Sequence, residues 1–225
     1  MAKPGTTSHV GARSGTESAE TRAALVEATI ATLRTEGYAG TSARAIARTA
    51  GLNQALVFYH FGSVTNLLLA ALDATSLRRM EQYKAAVAAA RGIDGLAEVA
   101  AGIFHDDLDG GHMSVLAELI AGASSVPGLG AEVGARIAPW IEFTEHTLAD
   151  TLGESPLGRL LPAGEIAYAI VALYLGIEML AHLDGDRSRA EALFATAQRL
   201  AGLMSALLPE RGADRIDAAS TEGSH

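Results

Sequence analysis

The sequence predicts an all-α protein with a small head of three helices at its N-terminus and a larger helical body behind it. Apolar residues recur at spacings of three and four through most of the chain, as they do on the buried face of a helix. Glycine or proline separates these runs, and no stretch alternates between apolar and polar residues as a half-buried strand would. Because 49% of the 225 residues are hydrophobic, the chain can bury a core as one or two domains.

The first helix is predicted over residues 17–36. Its inner face is expected to carry Leu25, Ala28, Thr29 and Leu33, which lie three or four residues apart or side by side. Gly37 is expected to end the helix, since glycine readily adopts the backbone conformations that close one. Residues 1–17 are rich in Gly, Ser and Thr and lack periodicity, so they are predicted to form a disordered tail.

Two short helices joined by a glycine are predicted between Thr41 and Phe61. Ser42 is expected to cap the first, with Thr41 as the alternative, and Gly51 to end it. Asn53 can cap the second helix, while Gln54, Ala55 and Tyr59 are expected to face outward. The residues expected to face inward are Leu56, Val57, Phe58 and Phe61. Such a pair is typical of the helix-turn-helix motif, in which the start of the second helix meets base edges in the major groove of DNA.

Several side chains of this motif are candidates for contact with DNA. Gln54 can pair with adenine through two hydrogen bonds, and the methyl group of Ala55 can touch a thymine methyl. Arg44, Tyr59 and His60 are candidates for phosphate contacts, together with backbone amides at the helix start near Ser42. The complete candidate set is Ser42, Arg44, Asn53, Gln54, Ala55, Tyr59 and His60.

Residues 18–72 as a whole resemble the DNA-binding region of the TetR family of transcriptional regulators. The resemblance rests on Gly37-Tyr38, Thr41-Ser42, Ile46-Ala47, Ala50-Gly51-Leu52, Tyr59-His60-Phe61 and Leu67. It implies a regulator that binds double-stranded DNA through this head and dimerises through its two long C-terminal helices.

The chain departs from the family pattern at two positions. Phe58 stands where a tyrosine that reaches a phosphate is common, and Val64 where a lysine is common at the start of the fourth helix. Each lost contact with a phosphate also removes counterion release. Lower affinity for DNA and a shallower dependence on salt are therefore expected.

The net charge of −9 is divided unevenly along the chain. Residues 1–65 carry six basic and four acidic side chains, which gives +2, and the remainder carries 11 basic and 22 acidic ones, which gives −11. This division favours a DNA-contacting head on an acidic body that stays away from the phosphates. The alternative is chance, since many helical proteins are acidic.

The body is predicted to be helical throughout. Helices are expected over residues 63–91 with a break near Asp73, and over 94–108, 112–125, 129–152, 163–183 and 188–208. The domain organisation predicted from these patterns is a disordered tail over residues 1–17, a helix-turn-helix domain over 18–65, a ligand-binding and dimerisation domain over 66–208, and a flexible tail over 209–225.

The last two helices are candidates for a dimer interface. Apolar residues cover nearly every face of the helix over 163–183, and the last helix has a wide apolar stripe. One chain cannot easily bury both, so a twofold homodimer is expected, with a monomeric bundle as the alternative. The candidate interface residues are Ala172, Leu175, Met179, Leu200 and Met204.

The middle helices are the predicted site for a small, largely apolar effector. They combine aromatic and sulfur side chains with a few polar groups, as an adaptable pocket requires. The candidate residues are Phe104, His105, His112, Met113, Leu116, Trp140, Phe143 and Tyr168. For each of them a plain core position is the alternative.

Two groups of residues could be interpreted as metal ligands. His105, Asp106 and His112 form one, and Glu142 and His146 lie one helical turn apart in the other. A carboxylate and an imidazole at this spacing are more often a solvated pair, and no third ligand is spaced to complete the site. No metal and no cofactor is therefore expected.

Other classes of protein find little support in the sequence. No cysteine is present, which excludes a disulfide framework and a cysteine-based zinc site. No glycine-rich phosphate loop follows a strand, and no nucleophile motif occurs, so the protein is not expected to be an enzyme. The apolar runs contain charges such as Glu178, and the N-terminus has no apolar signal segment, so a cytoplasmic protein without membrane contact is expected.

The sequence therefore predicts a dimeric transcriptional regulator that acts as a repressor. It is expected to bind a palindromic operator and to be released from it by a small molecule. The alternative is a helical protein that binds a small molecule or a metal and has weakened or lost DNA binding, which the residues at 58 and 64 would favour.

Overall fold

A computed structural model describes residues 10–110, 112–153 and 162–207 of the chain. No strand occurs within these ranges, so the predicted all-α fold is confirmed. The helices are α1 (Val10–Gly40), α2 (Ala43–Ala50), α3 (Ala55–Phe61), α4 (Val64–Ala89), α5 (Gly92–Gly110), α6 (His112–Ala123), α7 (Leu129–Leu152), α8 (Ala163–Asp184) and α9 (Ser188–Leu207).

Every predicted body helix is present, and each begins and ends within about two residues of its predicted bounds. The predicted break near Asp73 is wrong, because α4 continues through that position. The Asp73 carboxylate accepts two hydrogen bonds from Arg136 of α7, at 2.7 and 3.1 Å. A charged residue in an otherwise apolar run therefore marks a contact with another helix here, and not an end.

Helix α1 is longer than predicted at its N-terminal end. It begins at Val10, so the prediction of disorder is wrong for residues 10–17, whereas residues 1–9 and 209–225 lie outside the described residues. Extending a helix that already exists needs no new nucleus, so residues of modest propensity can join it. At the other end Gly37 interrupts the helical backbone, with φ 63° and ψ −171°, as its position predicted.

The described residues form two compact units. The first contains the chain up to Gln82 together with Asp106–Phe143, and the second contains Tyr83–His105 and the chain from Thr144 onward. The predicted boundary at residue 65 does not separate the head from the body. The reason is that α4 leaves the head without a break and α1 packs against α6 within the first unit.

The first four helices, α1, α2, α3 and α4, share one hydrophobic core in the head. Leu25, Ile46, Val57 and Leu67 each come from a different helix, and none has solvent exposure. Burying a side chain of this size stabilises a fold by about 1.5–3 kcal/mol. This core fixes α2 and α3 relative to α1, which matters because α3 is only seven residues long and cannot persist as an isolated helix.

In the second unit, α8 turns one face toward an aromatic cluster. The ring of Phe104 lies 4.6 Å from that of Phe194 and 6.3 Å from that of Tyr174, measured between centroids. The hydroxyl of Tyr174 donates to the buried carboxylate of Glu178 at 3.1 Å. The opposite face of α8 is left exposed on this chain.

Candidate nucleic-acid interface

Helix α2 begins and ends as predicted. The Oγ atom of Ser42 accepts a hydrogen bond from the backbone N–H of Ala45 at 3.2 Å, and this satisfies a donor that the helix itself leaves unpaired. Gly51 ends α2 in the left-handed conformation, with φ 66°. Glycine is the residue that adopts this conformation without a steric penalty.

The start of α3 is held by Asn53. Its Oδ1 atom accepts from the backbone N–H of Ala55 at 2.8 Å, so the predicted cap is confirmed. Val57 and Phe61 are buried, whereas Gln54 and Ala55 are exposed. The side chains expected to read bases therefore stand free on the first turn of α3.

Phe58 does not face inward, so that expectation is wrong. Its side chain is 48% exposed, beside the exposed Tyr59. Val57 and Phe61 lie one turn apart and define the buried face, and Phe58 is displaced from Val57 by about 100° around the helix. Val64 is the opposite case, because it is half-buried against the head core.

The candidates for phosphate contacts differ in how exposed they are and in whether other side chains already hold them. Arg44 is exposed and forms no ion pair with a described residue, whereas Arg48 is held by Glu36 at 2.6 Å. The ring of His60 meets the ring of Tyr59 edge-on, with centroids 4.9 Å apart. Arg44 and Tyr59 are thus available to a DNA backbone, and their contact with one stays a prediction.

Two side chains from other helices hold the C-terminal end of α3. Arg22 of α1 donates from Nη1 to the carbonyl of His60 at 2.5 Å, and its guanidinium lies 4.3 Å from the centroid of the Phe61 ring. Asn66 of α4 donates from Nδ2 to the carbonyl of Phe61 at 2.8 Å. Sequence reasoning missed both contacts. The contact of Arg22 spans 38 residues, so no local pattern in the sequence could indicate it.

Helix α4 also connects the head to α5, α6 and α7 within the first unit. On one side Arg78 pairs with Glu27 of α1 at 2.6 Å. On another, Arg79 forms a two-pronged pair with Asp107 of α5, in which Nε lies 2.6 Å from Oδ1 and Nη2 contacts Oδ2. The Arg79 guanidinium also lies 5.0 Å from the centroid of Trp140 on α7.

His112 of α6 is buried next to this ion pair. Burial lowers the pKa of His112 well below its usual value, and the positive charge of Arg79 lowers it further. The Nδ1 atom of His112 lies 3.1 Å from Oγ1 of Thr75. The same Oγ1 atom lies 3.0 Å from the carbonyl oxygens of Ala71 and Leu72, and its single proton can be donated to either of them. If that proton goes to a carbonyl, neutral His112 donates its Nδ1 proton to the threonine oxygen.

The candidate effector residues do not lie together in one unit. His112, Met113 and Leu116 are buried in the first unit, where Trp140 and Phe143 are half-buried. Phe104 is buried in the second unit against Tyr174 and Phe194, which sequence reasoning missed. His105 is exposed and Tyr168 is 64% exposed. The effector site stays a prediction.

Two of the residues suggested as metal ligands, Asp106 and His112, have polar contacts of their own. Asp107, next to the first group, is held by Arg79, and Asp106 accepts from Gln82 at 3.3 Å. Among the residues that the structure describes, no three side chains of the metal-binding types are arranged to hold an ion.

The outer faces of α8 and α9 expose many large apolar side chains. The most exposed are Tyr168, Leu173, Leu180, Leu183, Leu200 and Leu203. Of the candidate dimer residues, Ala172, Leu200 and Met204 are exposed, but Leu175 and Met179 are half-buried at the margin of this face. The residues of α8 are apolar on nearly every side of the helix, so their spacing in the sequence could not show which side faces outward. The packing of Ala167, Tyr174 and Glu178 does show it.

This exposed face makes α8 resemble a membrane span in composition. The stretch Ala163–Ala181 has a mean hydropathy of 1.5, and 11% of it is buried in this chain. Length and mean hydropathy alone therefore do not distinguish this helix from a membrane span. Glu178 is buried on the inner face, however, and a second protein surface is an equally good cover for the outer one.

The geometry of the head agrees with a comparison of sequences. Residues 25–71 match the sequence model of a family described as bacterial regulatory proteins, tetR family. This part of the chain is therefore a DNA-binding domain of the tetR family. The matched range runs from the buried Leu25 of α1 into α4, and so contains the complete helix-turn-helix.

Solved structures share the TetR-family fold of this chain over most of its length. A TetR-family regulator from Cytophaga hutchinsonii is 19% identical, with a TM-score of 0.67 over 83% of this chain and 95% of that one. FadR from Bacillus subtilis, in complex with stearoyl-CoA, is 14% identical, with a TM-score of 0.66 over 79% and 95%. The fatty acid degradation regulator FadR from Bacillus halodurans is 12% identical, with a TM-score of 0.66 over 80% and 93%. No curated protein matches the sequence.

Proposed function

We propose that this TetR-family protein is a repressor that binds a palindromic operator as a homodimer in the cytoplasm and is released by a small-molecule effector. The observation that carries the proposal is the exposed first turn of α3. Gln54 and Ala55 are exposed there, and Asn53 caps the turn. The buried side of α3 packs against the head core. This is the arrangement in which side chains reach base edges.

The homodimer is supported by the apolar outer faces of α8 and α9. Large exposed apolar patches on a water-soluble chain mark interaction surfaces. A twofold axis through this surface would pair it with itself and present two α3 helices to a palindrome.

Release by an effector is supported by the contacts of α4. Asn66 touches the end of α3, Arg78 pairs with α1, and Arg79 pairs with α5. A ligand that favours a different position of α4 would therefore change the orientation of α3, as a shift between two populated states. That one neighbour of this fold is a FadR complex with stearoyl-CoA supports an effector with a large apolar part.

The proposal is tested by a mobility-shift assay on DNA that flanks the protein's own gene, over a series of salt concentrations. The expected result is a complex with one fragment that survives competitor DNA, and whose affinity falls as salt rises. The variant Ala55→Glu, which adds a negative charge to an exposed position, is expected to abolish it. Binding of every fragment with equal affinity would contradict operator recognition.

A second candidate function is a helical protein that binds a small molecule or a metal and no longer binds DNA. The observation that favours it is the absence of two backbone contacts, because Phe58 has no hydroxyl and Val64 is an apolar residue packed on the core. A chain that shifts none of these fragments, even at low salt, would support this candidate and contradict the repressor. Neither candidate includes a catalytic step.

A further inference from the structure

The guanidinium of Arg22 occupies a specific place beside the recognition helix. Its Cζ atom lies over the Phe61 ring, 4.3 Å from the ring centroid, and one of its N–H groups donates to the carbonyl of His60. Both contacts are at the C-terminal end of α3. They hold the charged group at that end, so it does not sample the whole surface of α1.

Arg22 keeps most of its hydrogen-bonding capacity. A guanidinium has five N–H donors, and His60 accepts one of them. The residue is exposed, and no acidic side chain among the described residues pairs with it. Arg48, in contrast, is neutralised by Glu36. Arg22 is therefore a positioned cation with a fork of free donors, which is the form that recognises a phosphate group.

The length of α3 places its end near a DNA backbone. Seven residues at 1.5 Å each give a helix of about 10 Å, which is close to the roughly 12 Å width of the major groove. When Gln54 and Ala55 at one end meet base edges, the other end lies at the wall of the groove, where the phosphates are.

We propose that Arg22 contacts a DNA phosphate at the C-terminal end of α3, while it holds that end through His60 and Phe61. The contact supplies part of the backbone binding that Phe58 and Val64 do not. This assignment rests on the proposed DNA-binding function and concerns a residue outside the helix-turn-helix itself.

The test uses the full chain and a short fluorescent duplex of arbitrary sequence, because backbone contacts need no operator. Fluorescence anisotropy gives the association constant over a series of salt concentrations for wild type, Arg22→Gln and Arg22→Lys. The control is Arg34→Gln, which removes an exposed arginine about 18 Å further along α1. Arg22→Met, which retains an apolar stem over Phe61, is a second neutral variant, and circular dichroism and melting curves verify the fold of each protein.

The slope of log K against log salt is expected to fall by about 0.9 for each bound head in Arg22→Gln and Arg22→Met. It should stay at the wild-type value in Arg22→Lys and Arg34→Gln. A weaker complex with an unchanged slope in both neutral variants would show that Arg22 only supports α3, and would overturn the proposal. An equal loss in Arg34→Gln would overturn it as well, since a general field would then explain the effect. A wild-type chain that binds no duplex would contradict the DNA-binding function itself, and this inference with it.

Discussion

Arg79 and Asp107 form a buried ion pair that ties the middle of α4 to α5. The side chains are 14% and 2% exposed, and both carboxylate oxygens accept from the guanidinium. The preceding residue, Arg78, forms a different kind of pair with Glu27, whose two side chains are 56% and 58% exposed. Two consecutive arginines thus join α4 to the head and to the body in very different surroundings.

Breaking the buried pair is expected to cost far more than breaking the exposed one. In Asp107→Asn the buried guanidinium of Arg79 loses the carboxylate charge that its N–H groups contact, and this should lower the free energy of unfolding by about 3 kcal/mol. Urea unfolding at a fixed protein concentration measures the change.

The matched control for that prediction is Glu27→Gln, which breaks the exposed pair with Arg78. Because water screens this pair, the loss should stay below about 1 kcal/mol. Similar losses for the two variants would mean that the Arg79–Asp107 pair is as well solvated as the surface pair.

His112 is expected to make the protein less stable as the pH falls. Its pKa in the folded chain is depressed by burial and by Arg79, so the unfolded chain binds the proton more readily. Stability from this group is complete above the unfolded pKa of about 6.5 and decreases as the pH falls below it.

Unfolding free energies at a series of pH values measure this effect. Between pH of about 7.5 and about 5.5, wild type should lose about 1 kcal/mol more than His112→Gln, which cannot titrate at this position. Parallel curves for the two proteins would show that His112 keeps an ordinary proton affinity in the folded state.

Gln54 is expected to contribute to sequence recognition and not to general affinity. It stands exposed on the first turn of α3, where an amide can make two hydrogen bonds to adenine. Gln54→Ala should weaken binding to the operator fragment by about 1–3 kcal/mol and leave binding to random DNA almost unchanged. Equal losses on both, in anisotropy titrations at one salt concentration, would exclude base recognition by Gln54.

A substitution of Leu200 tests whether the outer faces of α8 and α9 form the homodimer interface. The side chain is 57% exposed, so Leu200→Asp should leave the fold of each chain intact and yield monomers in analytical ultracentrifugation. Leu77→Asp is the control, since Leu77 on α4 is 63% exposed and lies outside this surface. The same dimer in both variants would place the interface elsewhere, and monomers in both would indicate a nonspecific effect of the added charge.

The sequence could predict those parts of the fold that local chemistry determines. Ser42, Gly51 and Asn53 act on neighbouring backbone groups, so their roles could be assigned from spacing alone, and the structure confirms them. Apolar runs between glycines and prolines likewise located the body helices.

Features that depend on distant parts of the chain could not be predicted in this way. The contact of Arg22 with α3 and that of Arg79 with Asp107 cross 38 and 28 residues. The outward face of α8 was also indeterminate, because apolar residues cover nearly all of it and only packing around Glu178 orients it.

The pair between Arg78 and Glu27 has a consequence for how titrations with salt are interpreted. Mobile ions screen an exposed pair of this kind strongly and a buried pair such as Arg79–Asp107 only weakly. Rising ionic strength should therefore weaken this one link between the middle of α4 and α1, while the core around Leu25 and Leu67 and the contact with α5 persist. Part of any loss of DNA affinity with salt would then come from the protein's own flexibility and not from ions displaced from the duplex. Comparing the slopes of wild type and Glu27→Gln on one duplex separates the two sources.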